Sequence, residues 1–391
     1  MRARQVSASP PRRQSRHACG LWFVALFLAG SLAAGVLFDS GAFATVGASG
    51  ISYLELRTGA EYRSRDWEGL RGDFGVTQYL VPVDIAWRTP AVRLSAGGDF
   101  MRAAADLPGE PSAPLSLGQF RGASEFSFRR DRLRVAAGVR VPSSAAGVGP
   151  IPARAAELLD EVALGLPRAL HPGGPCLVVE VGGQPVRRTG YALQVGAAWE
   201  RRGSYEILAD GRRLDPGDIG RFIVDVTAGR GAILGDLGLR WEKMGRSIFD
   251  GDYSYREGNA LAMRAGLRRQ YERGRLDVAG TVATRADGSL DRSAPMDTLS
   301  LGGGTAGRLV VSGVRFTSAG EFGFSLGLLG VSSYPGDLGS AWALEPGLSW
   351  SRGLADGRLG LSVRRVYGQC RDDYPLRGLD ASLSWQREWR P

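Results

Sequence analysis

Apolar side chains occupy every second position in many short segments of this chain. In a β-strand, successive side chains point to opposite faces, so a period of two places the apolar residues on one face. The pattern therefore predicts short strands, each with one apolar face, over most of the chain. Clear examples are Tyr79, Val81, Val83, Ile85 and Trp87; Leu133, Val135, Ala137, Val139 and Val141; and Phe322, Phe324, Leu326 and Leu328.

The opposite face of the predicted strands is mixed in character. It combines Gly, Ser and Ala with Arg, Glu and Asp, and glycine alone contributes 57 of the 391 residues. Such a face suits a hydrated interior, whereas the apolar face suits lipid. In hydrocarbon only a closed barrel leaves no strand edge unpaired. We therefore predict an all-β chain that forms a transmembrane antiparallel up-and-down β-barrel.

Turn-forming residues divide the chain into about sixteen strands, with fourteen as the next most favoured number. Short connections such as Thr89-Pro90 and Arg230-Gly231 alternate with long polar segments such as 103–118 and 286–305. Short periplasmic turns and long outer loops are typical of outer-membrane barrels. The predicted strands lie near residues 52–62, 76–88, 92–102, 119–129, 132–141, 189–200, 203–210, 219–229, 232–244, 258–271, 275–285, 306–317, 320–331, 341–351, 356–367 and 377–389.

Several aromatic residues fall near the ends of strands that are predicted to run toward the periplasm. Amphipathic rings favour the boundary between lipid and water, so these positions predict an interfacial girdle. The residues concerned are Trp87, Trp199, Tyr271, Trp350 and Trp389.

The first 44 residues have the pattern of a secretory signal peptide. A basic leader precedes the uncharged apolar run Leu21 to Phe38, and Ala42-Phe43-Ala44 supplies a cleavage pattern. We expect export, insertion of residues 45–391 by the barrel-assembly machinery, and residence in outer-membrane lipid. The alternative is a retained signal anchor.

One long interruption, residues 142–188, lies between the fifth and sixth predicted strands. A short helix is predicted from Pro152 to Leu164, since proline suits a first helical turn and Pro167 would end the helix. Its apolar stripe at helical spacing comprises Ala155, Leu158, Leu159, Val162 and Leu166. On the predicted topology this insert is the third long extracellular loop.

With this insert, the chain resembles the 16-stranded general porins in topology. In that family the third loop folds inward and narrows the pore, and its acidic residues face basic residues on the wall. The resemblance implies that Glu157, Asp160 and Glu161 are the loop acids. It implies as pore-lining wall residues Arg57, Arg93, Arg134, Arg140, Arg264, Arg268 and Arg364.

Two alternatives stay open for these residues. The helix is equally compatible with a lid among the outer loops or with a surface helix that has no role in transport. Each arginine is compatible with a structural ladder, in which it pairs with an acid on a neighbouring strand. Acids available on the predicted interior face are Glu55, Glu61, Asp84, Asp99, Glu125, Asp225, Asp277 and Glu345.

Other kinds of chemistry find little support in the sequence. The formal net charge is +9, yet basic residues form no cluster of the kind that binds nucleic acid. Only His171 follows the leader, so we expect no catalytic residues, no metal site, no cofactor and no enzymatic activity. Export would permit a disulfide between Cys176 and Cys370, which the sequence leaves undecided.

The sequence thus favours a porin-like channel for passive diffusion of small solutes. One alternative is a surface-binding or structural barrel with a closed lumen. Another is a transporter for apolar compounds, which requires apolar side chains inside the mouth; Leu80, Val310 and Phe316 depart from the polar alternation and are candidates. The solute and the oligomeric state, a trimer included, are left open.

Overall fold

The computed structural model confirms a closed, all-antiparallel barrel of sixteen strands. It contains no helix long and apolar enough to span a membrane within the residues described. These residues are 52–69, 72–106, 113–128, 132–142, 174–206, 213–249, 253–256, 258–290, 304–332, 340–354, 357–370 and 374–389.

Each barrel strand pairs with the barrel strands before and after it in the chain. The first strand closes the wall by pairing with the last, from Leu54 opposite Trp389 to Trp67 opposite Leu376. The barrel strands are β1 (Tyr53–Gly69), β2 (Gly72–Arg88), β3 (Val92–Asp106), β4 (Ala113–Phe128), β5 (Leu133–Pro142), β6 (Cys176–Arg188), β7 (Tyr191–Arg202), β10 (Ile219–Arg230), β11 (Ile233–Met244), β14 (Ala260–Tyr271), β15 (Gly274–Arg285), β17 (Gly304–Thr317), β18 (Gly320–Val331), β19 (Ala341–Leu354), β20 (Gly357–Cys370) and β21 (Tyr374–Trp389).

Five short strands form a second sheet at one end of the barrel. In the numbering given at the end of this paragraph, they pair in the order β16-β13-β12-β9-β8. Each of them directly follows or precedes a barrel strand in the chain, and those barrel strands are neighbours in the same order. The wall thus continues on one side into its connecting segments. The strands are β8 (Tyr205–Glu206), β9 (Arg213–Asp215), β12 (Arg246–Phe249), β13 (Tyr253–Arg256) and β16 (Ser289–Leu290).

The two ends of the barrel differ in their connections. At one end, here called the turn end, tight turns join β6 to β7 and β10 to β11, with Gly190 at φ 78° and Gly231 at φ 60°. Both glycines adopt the left-handed conformation that two-residue hairpin turns require. The opposite end, here called the loop end, carries the longest connections and the second sheet, although only two residues separate β1 from β2 there.

Side chains alternate between an apolar exterior and a polar interior. Exterior residues such as Leu348, Phe324 and Leu267 are 71%, 56% and 54% exposed. Residues that lie opposite each other in the register point to the same face of the wall. Asp84 therefore shares the interior face with Gly97, and Arg364 shares it with Asp380. An apolar outer surface on a closed barrel is the arrangement that a membrane requires.

The predicted strand number is confirmed, but two individual strands were wrong. Residues 176–188, assigned to the insert, form β6, whereas the described part of the predicted strand 203–210 contains β8, which belongs to the second sheet and not to the wall. The register of β6 shifts between Gly183 and Val186. This bulge moves the exterior residues from odd to even positions, so the period-two signal breaks in mid-strand.

The direction of β7 is consequently opposite to the prediction. Trp199 lies near the loop end and not at the turn end, where Trp87, Tyr271, Trp350 and Trp389 do lie. Trp241 and Trp342 join Trp199 on the exterior near the loop end, so aromatic residues border both ends of the apolar surface. The signal peptide and the helix at 152–164 lie outside the described residues.

Candidate functional site

The interior wall carries a chain of ion pairs that crosses five strands. Arg65 on β1 donates to Asp380 on β21 at 2.6 Å, and Asp380 also accepts from Arg364 on β20 at 2.5 Å. Arg364 lies 3.2 Å from Glu345 on β19, which also pairs with Arg308 on β17. Arg65 is 0% and Glu345 1% exposed, so these charges rely on one another for neutralisation. This set is called the first ion-pair chain below.

A second ion-pair chain lies across β5, β7, β10 and β11. Glu200 is 2.9 Å from Arg140 and 2.5 Å from Arg221. Arg221 also donates to Glu242 at 2.8 Å, and Glu242 accepts from Arg240. Charges of opposite sign therefore alternate around this part of the wall as well.

Several further interior arginines pair with acids on adjacent or next-nearest strands. Arg121 makes four such hydrogen bonds, because it donates to both oxygens of Asp84 and to both oxygens of Asp99 at 2.8–3.1 Å. The remaining pairs are Arg134 with Glu125 and Glu180, Arg264 with Asp225, Arg268 with Asp277, and Arg358 with Glu321.

The pairing places all seven arginines named from the sequence on the interior face. Arg57 contacts Glu55, and Arg93 lies directly opposite Glu125 in the register of β3 and β4. The other five belong to the pairs just described. Glu157, Asp160 and Glu161 lie outside the described residues, so the meeting of loop acids with wall arginines stays a prediction.

The sequence analysis missed several members of this network. Among them, Arg65 and Asp380 are separated by 315 positions in the chain and meet only because the barrel closes. Arg65 also lies beyond the predicted end of the first strand. Strand parity alone would have placed most of the others inside: Arg121, Arg221, Arg308, Glu200 and Glu242. Glu180 could not be placed, because β6 was not predicted.

Apolar side chains replace charged ones at several interior positions near the loop end, although Arg65 lies directly opposite Val76 there. On β18 to β21 this replacement occurs within a few residues, since Ala343 precedes Glu345 and Val366 follows Arg364. The larger members are all buried, at 1–6% exposure. The loop-end collar, as we call them, comprises Val76, Met101, Ile219, Met244, Leu329, Val331, Val366 and Leu376.

The three interior apolar residues expected from the sequence have different positions. Leu80 on β2 lies directly opposite Met101, Val310 lies in the middle of β17 opposite Gly327, and Phe316 lies at the turn end opposite Glu321. Leu80 is therefore beside the collar, Val310 is diagonal to Leu329, and Phe316 is remote from the collar. Most of the collar was not anticipated, although seven of its eight members lie within the predicted strands and only Leu376 lies outside them.

The two cysteines occupy opposite walls of the barrel. Cys176 begins β6 and Cys370 ends β20, and both are free, buried thiols. Seven strand spacings separate these strands along the shorter way around the wall. At about 4.8 Å per spacing, the cysteines are far beyond the ~7 Å between Cα atoms that a disulfide allows. They do not pair with each other in this fold.

Comparisons with known proteins give resemblance in fold only. No protein-family model and no curated protein matches the chain. Similar solved structures include a bacterial polysaccharide outer membrane secretin, at TM-score 0.47 and 10% identity over 88% of this chain and 100% of the other. OccK3 (OpdO) of Pseudomonas aeruginosa gives 0.44 and 11% over 86% and 96%. The CymD monoaromatic hydrocarbon channel gives 0.40 and 11% over 91% and 95%. Such low values carry no information about the function of this chain.

Proposed function

We propose that this protein is an outer-membrane channel through which small solutes diffuse passively. The observation that carries the proposal is the closed sixteen-stranded wall with charged and small residues inside and large apolar residues outside. Barrels of about 16 strands are wide enough to leave an aqueous channel. An arginine-rich interior would have no favourable contact with lipid, whereas it is well solvated by water in a lumen.

The proposed orientation has the turn end in the periplasm and the loop end outside. Both ends of the barrel, at Tyr53 and Trp389, then lie on the periplasmic side, as an even strand number requires. Export by a cleaved leader of residues 1–44 and insertion by the barrel-assembly machinery complete the proposal.

Selectivity in this channel is proposed to be weak, because the lumen charges neutralise one another. Arg57, Arg93, Arg134, Arg140, Arg264, Arg268 and Arg364 are the proposed pore-lining cations. Most of them face a carboxylate on an adjacent or next-nearest strand, so a passing ion meets a dipolar wall with little net field. Passage would depend on solute size more than on the sign of its charge.

Liposome swelling with sugars of increasing size tests the proposal. Refolded protein in vesicles is expected to admit small sugars and to exclude large ones. A second variant replaces residues 146–173 with a short Gly/Ser linker, which leaves β6 intact. A larger size limit in this variant would support a constriction formed by the insert with Glu157, Asp160 and Glu161. No swelling by either folded protein would reject the channel and favour a closed, surface-binding barrel.

A second candidate is a channel for apolar or amphipathic compounds, since the loop-end collar places apolar side chains on the interior face. Leu329, Val366 and Leu376 are only 2–6% exposed, so an apolar solute would contact them only after displacing the residues that cover them. The first ion-pair chain begins directly next to these residues, at Arg308 opposite Leu329. Faster flux of a short-chain fatty acid than of a sugar of equal size would support this candidate, and equal flux would reject it.

A further inference from the structure

Exterior arginines recur at the turn end of the barrel. Each lies within the last three residues of a strand that runs toward that end, and its register partner belongs to the exterior row. Nearer the loop end, the exterior positions of the same strands are mostly apolar and include Phe222, Leu267 and Leu309, which are about half exposed, with Arg377 on β21 as an exception. The arginines therefore mark the edge of the apolar surface. They are Arg188, Arg230, Arg269, Arg315, Arg352 and Arg387.

Three of these arginines lie close together around one tyrosine. Arg230 is opposite Ile233, which is opposite Arg269, so the two arginines are separated by one strand. In the next exterior row, Tyr271 is opposite Gly274, and Gly274 is opposite Arg315. With strands about 4.8 Å apart, each pair of residues brackets a gap of about 10 Å.

The gap between Tyr271 and Arg315 has a glycine at its base. Gly274 has no side chain but is buried, and a Cβ there would lie 2.4 Å from the carbonyl oxygen of Val314, so the gap is closed at its base. The shallow notch is therefore bounded by the two exposed side chains on either side of the glycine. The guanidinium carbon of Arg269 lies 5.2 Å from the centre of the Tyr271 ring and adds a cation at one side of the notch. The turn-end notch, as we call it, is defined by Arg230, Arg269, Tyr271, Gly274 and Arg315.

Positive charge in the notch is not neutralised by the residues that the structure describes. Arg230, Arg269 and Arg315 make no ion pair among them, and all three side chains are exposed. By contrast, Arg268 and Arg275, their neighbours on the interior face, both pair with Asp277. Asp277 thus serves the lumen. Glu272, in the turn that follows Tyr271, makes no ion pair with the three notch arginines among the described residues, so the exterior keeps its positive charge.

We propose that the turn-end notch binds the headgroup of an anionic phospholipid. A guanidinium offers paired donors that match a phosphate, and tyrosine favours the level of the headgroups. Clustered basic residues at this level attract anionic lipid in preference to zwitterionic lipid. The site faces the leaflet at the turn end and is separate from the lumen, so the inference goes beyond the proposed channel activity and does not depend on it.

The test compares lipid retained by the refolded full chain in native mass spectrometry. Protein from mixed vesicles of phosphatidylcholine and phosphatidylglycerol is released into mild detergent, and bound lipids are counted. We expect phosphatidylglycerol to be retained several-fold more than phosphatidylcholine. Arg269→Gln should lower this preference, and Arg230→Gln, Arg269→Gln and Arg315→Gln together should abolish it.

Arg268→Gln is the matched control, because it removes the same charge from the neighbouring position on the opposite face. It should leave the lipid preference unchanged, and heat-modifiable gel mobility verifies that each variant is folded. If the triple variant does not fold, Arg269→Gln alone decides the comparison. Equal retention of both lipids by the unaltered protein, or an equal loss in Arg268→Gln and Arg269→Gln, would overturn the proposal. Unchanged solute flux in the triple variant would show that the two proposals are independent.

Discussion

The middle of the lumen and the loop-end collar are built on the same face of the same strands but from opposite kinds of side chain. On β20, Arg364 belongs to the first ion-pair chain, while Val366, the next interior residue, is 2% exposed in the collar. The alternation of the sequence determines which face a residue occupies. Its distance along the strand determines which of these two environments it meets.

The two regions also differ in what stabilises them. In the middle, each buried charge depends on a specific partner of opposite sign, so loss of one partner leaves an isolated charge. In the collar, stabilisation comes from removal of apolar area from water and requires no particular partner. Removing a charged partner in the middle and introducing a polar group in the collar should therefore lower the free energy of unfolding by different amounts.

The largest effect is expected for Glu345→Gln. Glu345 is 1% exposed and pairs with both Arg308 and Arg364, so the neutral amide leaves two lumen cations without their shared carboxylate. We expect a loss of about 3–5 kcal/mol in the free energy of unfolding, measured by urea titration in vesicles. A loss below about 1 kcal/mol would mean that water, and not Glu345, neutralises these arginines.

Val366→Asn should have an intermediate effect. It places an amide among the buried apolar side chains of the collar, and an unsatisfied buried polar group costs about 1–3 kcal/mol. Ser362→Asn is the control, since Ser362 lies on the same face of β20 in the polar middle, where it shares a hydrogen bond with Ser382. Equal effects of the two substitutions would remove the distinction between collar and middle.

A smaller effect is expected on ion selectivity. Arg264→Gln leaves Asp225, its partner at 3.0 Å, without its cation, so that part of the wall becomes more negative. The reversal potential in a salt gradient should shift modestly toward cations. Asp225→Asn should shift it in the opposite sense, and shifts of the same sign would argue against both residues facing the conduction path.

The smallest effect is expected for Arg268→Gln. The Arg268 side chain is 51% exposed, so its pair with Asp277 is screened by water and contributes less than about 1 kcal/mol. The free energy of unfolding should be nearly unchanged in the same urea titration. A loss of stability as large as that of Glu345→Gln would show that the exposure of an ion pair does not determine how much it stabilises the barrel.

The sequence predicted the barrel and its number of strands, but not all the strands themselves. The number sixteen was reached because the false strand 203–210 replaced the missed strand β6. A bulge between Gly183 and Val186 inverts the parity of β6, and period-two analysis has no means of following such a shift. The direction of β7 and the place of Trp199 followed from that one error.

The interior was predictable in character but not in arrangement. Arginines and acids at interior positions could be named, since strand parity depends only on local sequence. Their pairing could not, because Arg65 meets Asp380 through closure of the whole wall. The collar was missed because strand parity gives the face of a residue but not the level along the barrel at which apolar residues gather. Only Leu376 fell outside the predicted strands, since the start of its strand at Tyr374 was placed too late.

Single-channel recording of the refolded chain in a planar bilayer tests the central claim most directly. A water-filled lumen of sixteen strands predicts discrete, ohmic conductance steps that scale with salt concentration and show little preference between cations and anions. Folded, membrane-inserted protein that gives no conductance steps at any salt concentration would contradict the account.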